Sequence, residues 1–470
     1  MTDQAPPTIR PKVRDAILQS LRAGVVPRVG QRYIQVGRSR ELEALLGDID
    51  RVADGGSSIR FVIGDYGAGK TFFLMLVRAV ALERRLVTLH ADLNPDRRLQ
   101  GSGGHARSLY TELLRNASTR STPDGGALPS IVERFVSSAI EEAGRTDATT
   151  AEVISAKLAA LSELVGGFDF ASVIRSYWHG HDEGNDQLKS DAVRWLRGEF
   201  TTKTDARAAL GVRTIIDDNN WYGHLKLLAI FVRMAGYAGI MVCLDEMVIL
   251  YKLSHSTSRN ANYEQLLAIL NDSLQGTASG LGWLFGGTPE FLLDTRRGLY
   301  SYRALQSRLA ENTFATDGLV DYSGPVLRLG SLSPEDFFIL LMNVRNVYAR
   351  SDPAKYLITD DGIRSFMHHC EDRIGSGYFR TPRETIMPFV DLLAVLDQNP
   401  GADLTALIGK IEITQEENPD LAPLDEESDE APEGDGPTTV PVTPAGASAP
   451  VGIGSSDEGG SGDNLTAFKL

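Results

Sequence analysis

Four short runs of mostly apolar residues stand out along the chain, and each predicts a strand that is buried on both faces. The runs are residues 59–63, 86–92, 239–246 and 281–288. Strands of this type form parallel sheets that are covered by helices on both sides. The pattern therefore predicts an α/β fold with a parallel sheet flanked by helices.

Helical periodicity fills the chain between these runs. Residues 13–22 and 41–50 each place their apolar side chains on one helical face, ahead of the first strand. Between the second and third strands lie further helical segments: 105–116, 128–143, 150–165, 189–200 and 221–234. Together they are too long for one strand-to-strand crossover. We therefore expect residues 13–325 to form an α/β core in which residues 93–238 are a helical insertion.

The chain changes character towards both ends. Residues 326–410 show only helical patterns and predict a small helical lid domain. Residues 1–12 are expected to be a disordered start, and residues 411–470 a disordered acidic tail, because the tail is rich in Pro, Gly, Ser and acids and has little to bury. Residues 464–470 regain apolar content, which is typical of a short docking peptide; plain disorder is the alternative.

Most of the negative charge of the chain lies in its last 60 residues. Of the formal charge of −15, −13 lies in residues 411–470, which leaves −2 on residues 1–410. The predicted folded part is nearly neutral, so its charge neither excludes nor requires a DNA-binding surface.

Composition narrows the class of protein further. Hydrophobic residues make up 42% of the chain, enough for a large core, yet no run approaches the roughly 18 apolar residues of a membrane span. The N-terminus lacks the layout of a secretory signal, so we expect a cytoplasmic protein with no membrane partner. The two cysteines, Cys243 and Cys370, lie far apart and suggest no disulfide framework. Cys243, inside an apolar run, is expected to be a buried small hydrophobe.

A phosphate-binding loop follows the first predicted strand. Its sequence matches G-x-x-x-x-G-K-[ST] at every fixed position: Gly64-Asp65-Tyr66-Gly67-Ala68-Gly69-Lys70-Thr71. Backbone N–H groups of such a loop close around phosphates, Lys70 neutralises their charge, and the Thr71 hydroxyl is the expected Mg²⁺ ligand. A chance match is the alternative, but the strand before the loop and the helix after it favour a nucleotide site.

Two carboxylates end the third predicted strand. Asp245 is expected to hold Mg²⁺, and Glu246 to orient and deprotonate the attacking water. The fourth strand ends at Thr288, whose hydroxyl would contact the γ-phosphate or the water. Paired with the phosphate loop, these residues predict an ATPase that uses ATP and Mg²⁺. Upstream, Val36 and Gly37 belong to an apolar turn that would hold the adenine ring; a plain core role for Val36 is the alternative.

A basic cluster in the insertion is the best match to a surface that contacts a nucleic-acid backbone. It comprises Arg194, Arg197, Lys203, Arg207 and Arg213, near Trp195. Asp191, Glu199 and Asp205 are interleaved with it. A solvated helix face of mixed charge is therefore the competing interpretation.

These elements resemble AAA+ ATPases of the origin-recognition-like branch over residues 10–400. The motifs that carry the resemblance are Val36-Gly37-Arg38, the phosphate loop, Asp245-Glu246, Thr288, Ser307-Arg308-Leu309 and Arg383. The resemblance implies that Thr288 is sensor 1, that Arg308 is an arginine finger and that Arg383 is sensor 2. Arg303 is an alternative finger.

Longer phrases are similar to the bacterial BREX system ATP-binding family. They are Ile63-Gly64-Asp65-Tyr66-Gly67, Leu93-Asn94-Pro95-Asp96-Arg97-Arg98, Thr202-Lys203-Thr204-Asp205-Ala206-Arg207, Gly286-Gly287-Thr288-Pro289-Glu290-Phe291 and Arg297-Gly298-Leu299-Tyr300-Ser301-Tyr302. This resemblance implies an ATPase of anti-phage defence that forms homo-oligomers and works on DNA with a helicase partner. The insertion is larger than in a minimal AAA+ domain.

Two alternative functions remain open: a nucleotide-gated oligomeric scaffold with little turnover, and a P-loop kinase, for which no second substrate pocket is evident.

Overall fold

A single parallel sheet lies at the centre of the computed structural model, which describes residues 9–315, 320–375 and 382–411. Its strands in the described chain are β1 Ser57–Ile63, β2 Leu86–Asp92, β3 Gly239–Asp245, β4 Leu281–Gly287 and β5 Val326–Arg328. The spatial order is β2-β3-β4-β1-β5, and every neighbouring pair is parallel. The predicted α/β fold with a parallel sheet is therefore confirmed.

The strand β5 corrects the predicted start of the helical domain. Residues 326–328, expected to open that domain, instead pair with Phe61–Ile63 of β1 and complete the sheet. The segment is only three residues long, and its pairing with a buried central strand stabilises it, so its own sequence carries little signal.

Helices cover both faces of the sheet. On one face, α2 (Ser39–Ala53) and α3 (Lys70–Glu83) pack on Val62, Met241 and Leu284. On the other face, aromatic and branched side chains of the strands, such as Phe61, join the core of the predicted insertion. Burial on both faces explains why the strands read as continuous apolar runs.

The insertion is helical along its length. Its helices are α4 His105–Arg115, α5 Leu128–Ala143, α6 Thr150–Ser162, α7 Gly167–Asp182, α8 Asp186–Leu196, α9 Lys203–Leu210 and α10 Trp221–Met234. Two of them, α7 and α9, were not predicted. The first begins at a Gly-Gly pair and is apolar on several sides, so it lacked a clear amphipathic pattern.

Further helices connect β3 to β5 and form the C-terminal part. They are α11 Val248–Lys252, α12 Ser256–Leu274, α13 Pro289–Leu293, α14 Arg303–Leu309, α15 Pro334–Tyr348, α16 Asp360–Ile374, α17 Pro382–Gln398 and α18 Leu404–Ile408. The helices α15 to α18 share a hydrophobic core of their own, apart from the two cores against the sheet.

The N-terminal helix joins this C-terminal core. Helix α1, Pro11–Arg22, contributes Ile17, Leu18 and Leu21 to it, and Ile9 is also buried there. Of residues 9–12, expected to belong to a disordered start, Ile9 is thus packed, and the helix already begins at Pro11. Residues 1–8 and 412–470, including the predicted docking peptide, lie outside the described residues.

The described helices include none that is both long and apolar enough to cross a membrane.

Candidate nucleotide-binding site

The carboxyl ends of β1, β3 and β4 meet at one edge of the sheet, where open α/β sheets bind ligands. The phosphate loop leaves β1, Asp245 ends β3, and Thr288 follows β4. A cleft of about 690 Å³ opens there, and Lys70, Thr71, Asp245, Glu246 and Thr288 are among its lining residues. Strands far apart in sequence thus bring these five predicted site residues together.

Two glycines of the phosphate loop adopt a backbone conformation that other residues rarely adopt. Gly67 and Gly69 have φ of 76° and 83°, in the left-handed region that favours glycine. The Lys70 ammonium donates to the carbonyls of Gly64 and Asp65, at 2.9 Å each. Lys70 is also the first residue of α3, so the N-terminal end of that helix, which carries partial positive charge, faces the cleft.

Thr71 and Asp245 are joined by a hydrogen bond. The Thr71 hydroxyl donates to Oδ2 of Asp245 at 2.6 Å, and Oδ1 of the same carboxylate accepts from the backbone N–H of Glu246 at 3.0 Å. Asp245 is buried, whereas Thr71 is half-buried beside the cleft. A hydroxyl and a carboxylate side by side are oxygen ligands of the kind that Mg²⁺ prefers. The residues present therefore fit the predicted metal.

The side chain of Glu246 is exposed in the cleft, and its backbone is in an unusual conformation. Its φ is +58°, which residues other than glycine rarely adopt. The peptides on either side are fixed, because the N–H of Met247 donates to Gly286 at 3.0 Å and the N–H of Leu93 donates to Asp245 at 3.1 Å. Such conformations persist where surrounding structure holds them, and they cluster at active sites.

A third carboxylate lies next to this pair. Asp92 ends β2 directly beside Asp245 in the strand register. Partial desolvation at the end of the strand, and then the Asp245 carboxylate, raise the pKa of Asp92 above its ordinary value. The sequence indicated an acidic residue at the end of this strand, but its proximity to Asp245 follows only from the strand order.

The two predicted sensor residues lie at the cleft. Thr288 is buried and lines the cleft, and its hydroxyl accepts from the N–H of Phe291 at 3.4 Å as the N-cap of α13. Arg383 is exposed in the first turn of α17 and also lines the cleft. The C-terminal helices thus form one wall of the site.

The predicted finger residues lie elsewhere in the described chain. The Arg308 guanidinium donates to Oδ1 of Asn271 at 2.8 Å and to the carbonyl of Ala304 at 2.9 Å. Arg308 and Arg303 are exposed on α14, and neither lines the cleft. Both are accessible to a second copy of the chain.

An apolar compartment adjoins the phosphate loop. Val36 and Ile34 line it together with Val25, Leu340 and Ile386. Gly37, predicted to contact the nucleotide, is not among the lining residues. Its neighbour Arg38 does line the cleft, although the sequence assigned it no role in binding the adenine ring. The Arg38 guanidinium contacts the phosphate loop.

The basic cluster of the insertion lies among buried and paired side chains. Trp195 is buried, so its ring is not available to stack on bases. Arg194 pairs with Asp191 at 2.8 Å, and Glu199 pairs with Arg115 at 3.2 Å. The helix face is thus one of mixed charge around these pairs.

Cys243 is buried in the sheet, and burial raises the pKa of its thiol to about 12. At neutral pH the side chain is a neutral thiol that packs as a small hydrophobe.

The architecture and the phosphate loop agree with a match to a known protein family. The family model described as "BREX system ATP-binding protein BrxC/D" matches residues 9–412. The chain belongs to this family. It is therefore an ATP-binding protein of the BREX defence system, and partners within that system are implied. The match spans the sheet, the helical insertion and the C-terminal helices alike. No curated protein matches the chain.

Proposed function

We propose that this chain is a Mg²⁺-dependent AAA+ ATPase that acts on DNA with a helicase partner in BREX defence. The observation that carries the proposal is the 2.6 Å hydrogen bond between the Thr71 hydroxyl and the Asp245 carboxylate, next to the exposed Glu246. It joins the phosphate loop to the end of β3. Metal ligands and a potential base thereby lie within one cleft, as phosphoryl-transfer chemistry requires.

The predicted site residues of the cleft each have a role in the proposed reaction. Lys70 and the loop N–H groups bind the phosphates, while Thr71 and Asp245 supply oxygen ligands. Mg²⁺, when bound, would neutralise charge on the β- and γ-phosphates. Glu246 orients a water molecule and accepts its proton as the water attacks the γ-phosphorus. Water then bonds to phosphorus, the bond to the ADP oxygen breaks, and phosphate leaves.

The remaining residues complete the site in an oligomer. Thr288 and Arg383 contact the γ-phosphate region from β4 and from the C-terminal helices. Arg308 of one copy enters the cleft of the next, which agrees with its exposure and with its absence from the lining of its own cleft. An arginine supplied from a neighbour would make hydrolysis depend on assembly.

The DNA and helicase parts of the proposal rest on the resemblance and on membership of the BREX family. The nearly neutral charge of residues 1–410 permits a DNA surface without specifying where it lies.

Steady-state ATP hydrolysis tests the proposal when it is measured with Mg²⁺, with EDTA, and with single-stranded or duplex DNA added. We expect Mg²⁺-dependent turnover that DNA stimulates. Measurements at two salt concentrations identify a stimulation that acts through phosphate contacts, because these weaken as salt rises. Tight ATP binding with slow turnover that DNA leaves unchanged would instead support the nucleotide-gated scaffold.

A further inference from the structure

One guanidinium group connects the phosphate loop to the entrance of the C-terminal helices. Nη2 of Arg38 donates to the carbonyl of Ala68 at 2.8 Å and to the carbonyl of Gly330 at 2.9 Å. Ala68 is inside the phosphate loop, whereas Gly330 lies between β5 and α15. Arg38 thus contacts both sides of the cleft.

The segment around Arg38 makes further contacts with α15. Nδ2 of Asn343 donates to the carbonyl of Gln35 at 3.3 Å. The carboxylate of Asp336 lies so close to Gly37 that a Cβ there would be 3.2 Å from Oδ2. Asp336 is itself held, because it forms a capping box with Ser333 at the start of α15. Movement of this segment would therefore be transmitted to the first helix of the C-terminal part.

The backbone of the segment is held in an unfavourable conformation. Arg38 has φ of 57°, and the preceding Gly37 has φ of 60°. The left-handed region is unfavourable for arginine, because its Cβ approaches the carbonyl oxygen. A residue stays there only where the surrounding structure holds it, which is characteristic of functional segments.

The contact with Ala68 also bears on phosphate binding. A trans peptide is planar, so the carbonyl of Ala68 and the N–H of Gly69 point in opposite directions. Arg38 holds that carbonyl, and Gly69 lines the cleft. The guanidinium therefore fixes the direction of the Gly69 N–H and strengthens it as a donor, because hydrogen-bonded dipoles polarise one another.

We propose that Arg38 is a positioning residue that orients the Gly69 N–H towards the nucleotide phosphates and couples the phosphate loop to helix α15. This inference rests on the proposed nucleotide site. In this proposal, phosphate binding orders the phosphate loop around Ala68. The hydrogen bond from Arg38 to the Gly330 carbonyl then transmits this ordering to the C-terminal helices. Such coupling makes the position of Arg383, on α17, dependent on the phosphates.

Three variants test the orienting role. Arg38→Asn removes the guanidinium but suits the backbone, because asparagine tolerates the left-handed region. Arg38→Lys keeps a cation that can reach one carbonyl. Arg40→Asn is the control, since Arg40 is exposed on α2 and makes no hydrogen bond or ion pair within the described chain. We expect Arg38→Asn to weaken Mg-ATP binding about tenfold or more, Arg38→Lys to recover part of the loss, and Arg40→Asn to bind normally.

Hydrogen exchange with Mg-tripolyphosphate tests the coupling role. This probe carries phosphates but no base, so it cannot act through the apolar contacts of Leu340 and Ile386. At saturating probe, the wild-type protein should show slower amide exchange both in the phosphate loop and in residues 329–340. In Arg38→Asn, the phosphate loop should still exchange more slowly with the probe, whereas residues 329–340 should not. A merely structural role of Arg38 would not separate these two regions.

The outcomes separate this inference from the proposed function. Normal Mg-ATP affinity together with normal protection of residues 329–340 in Arg38→Asn would overturn the role of Arg38 while leaving the nucleotide site intact. Failure of the wild-type protein to bind Mg-ATP in this cleft would overturn the site, and the role of Arg38 with it. Equal weakening by Arg40→Asn would show that loss of surface charge, and not loss of the bridge, changes affinity.

Discussion

The carboxylate of Asp245 occupies the space that a side chain at Gly286 would need. A Cβ at residue 286 would overlap Oδ1 of Asp245 and come 3.0 Å from Cδ1 of Leu74. Both neighbours belong to the buried core, so neither can give way easily. The absence of a side chain at Gly286 thus lets the Asp245 carboxylate face Thr71.

Gly286→Ala should therefore displace the metal ligand. We expect the Mg²⁺ concentration for half-maximal hydrolysis to rise and turnover to fall about tenfold or more, since small misplacements in active sites can cost about 100-fold. Titration of hydrolysis with Mg²⁺ measures both. Gly47→Ala is the control, because a Cβ at this helical position would meet nothing within 4 Å. Unchanged Mg²⁺ dependence in Gly286→Ala would argue against Asp245 as a ligand.

Lys70→Ala removes the cation at the phosphates, and Mg-ATP should then no longer raise the thermal unfolding temperature. The reason is that a ligand stabilises a protein by binding its native state only. Differential scanning fluorimetry with and without Mg-ATP measures the shift. Lys12→Ala, at an exposed position on α1, should keep the wild-type shift. Stabilisation of Lys70→Ala by ATP would move the nucleotide site elsewhere.

Glu246→Gln should separate binding from chemistry. The amide keeps the size of the side chain but cannot accept a proton, so turnover should fall about 10²–10⁴-fold while ATP affinity changes little. Both quantities should be measured on one preparation. Glu264→Gln, an exposed glutamate on α12, serves as the matched control. Near-normal turnover would show that Glu246 is not the base, and Asp92 would become the next carboxylate to test.

Arg308→Ala should bind ATP and yet lose hydrolysis by about 10³-fold, as expected for a missing arginine finger. Mixing it with Glu246→Gln should restore some activity, because hybrid assemblies contain sites with a normal base and a normal finger. Arg303→Ala tests the alternative finger on the same helix. No recovery despite demonstrated co-assembly would count against a finger that acts across an interface.

Asp169→Ala should destabilise the insertion without affecting the site. Oδ2 of this buried carboxylate accepts three hydrogen bonds: from the N–H groups of Arg213 and Thr214 at 3.2 and 2.9 Å, and from the Thr214 hydroxyl at 2.6 Å. Their loss leaves buried donors without partners and should lower the free energy of unfolding by about 3 kcal/mol. Urea denaturation measures this loss. Asp182→Ala, at the exposed end of the same helix, should be neutral, and a similar loss there would contradict the argument.

The sequence by itself determined the strands β1 to β4 and the types of residue at their carboxyl ends. The strands β1 to β4 were predicted within two residues of their ends, because strands buried on both faces need continuous apolar runs. The phosphate loop was recognisable because its backbone requires glycines at set positions. Asp245 and Glu246 were predicted together because they directly follow such a strand. All of these signals are local in the chain.

Only the tertiary structure decided how distant segments meet. The short strand β5 depends on pairing with β1, and α1 packs with α15 to α18 from the opposite end of the chain. Likewise, Arg38 reaches the carbonyl of Gly330, 292 positions away, and Gly286 makes room for Asp245. Such contacts depend on the distance between side chains in space, and no local pattern of apolar and polar residues encodes that distance.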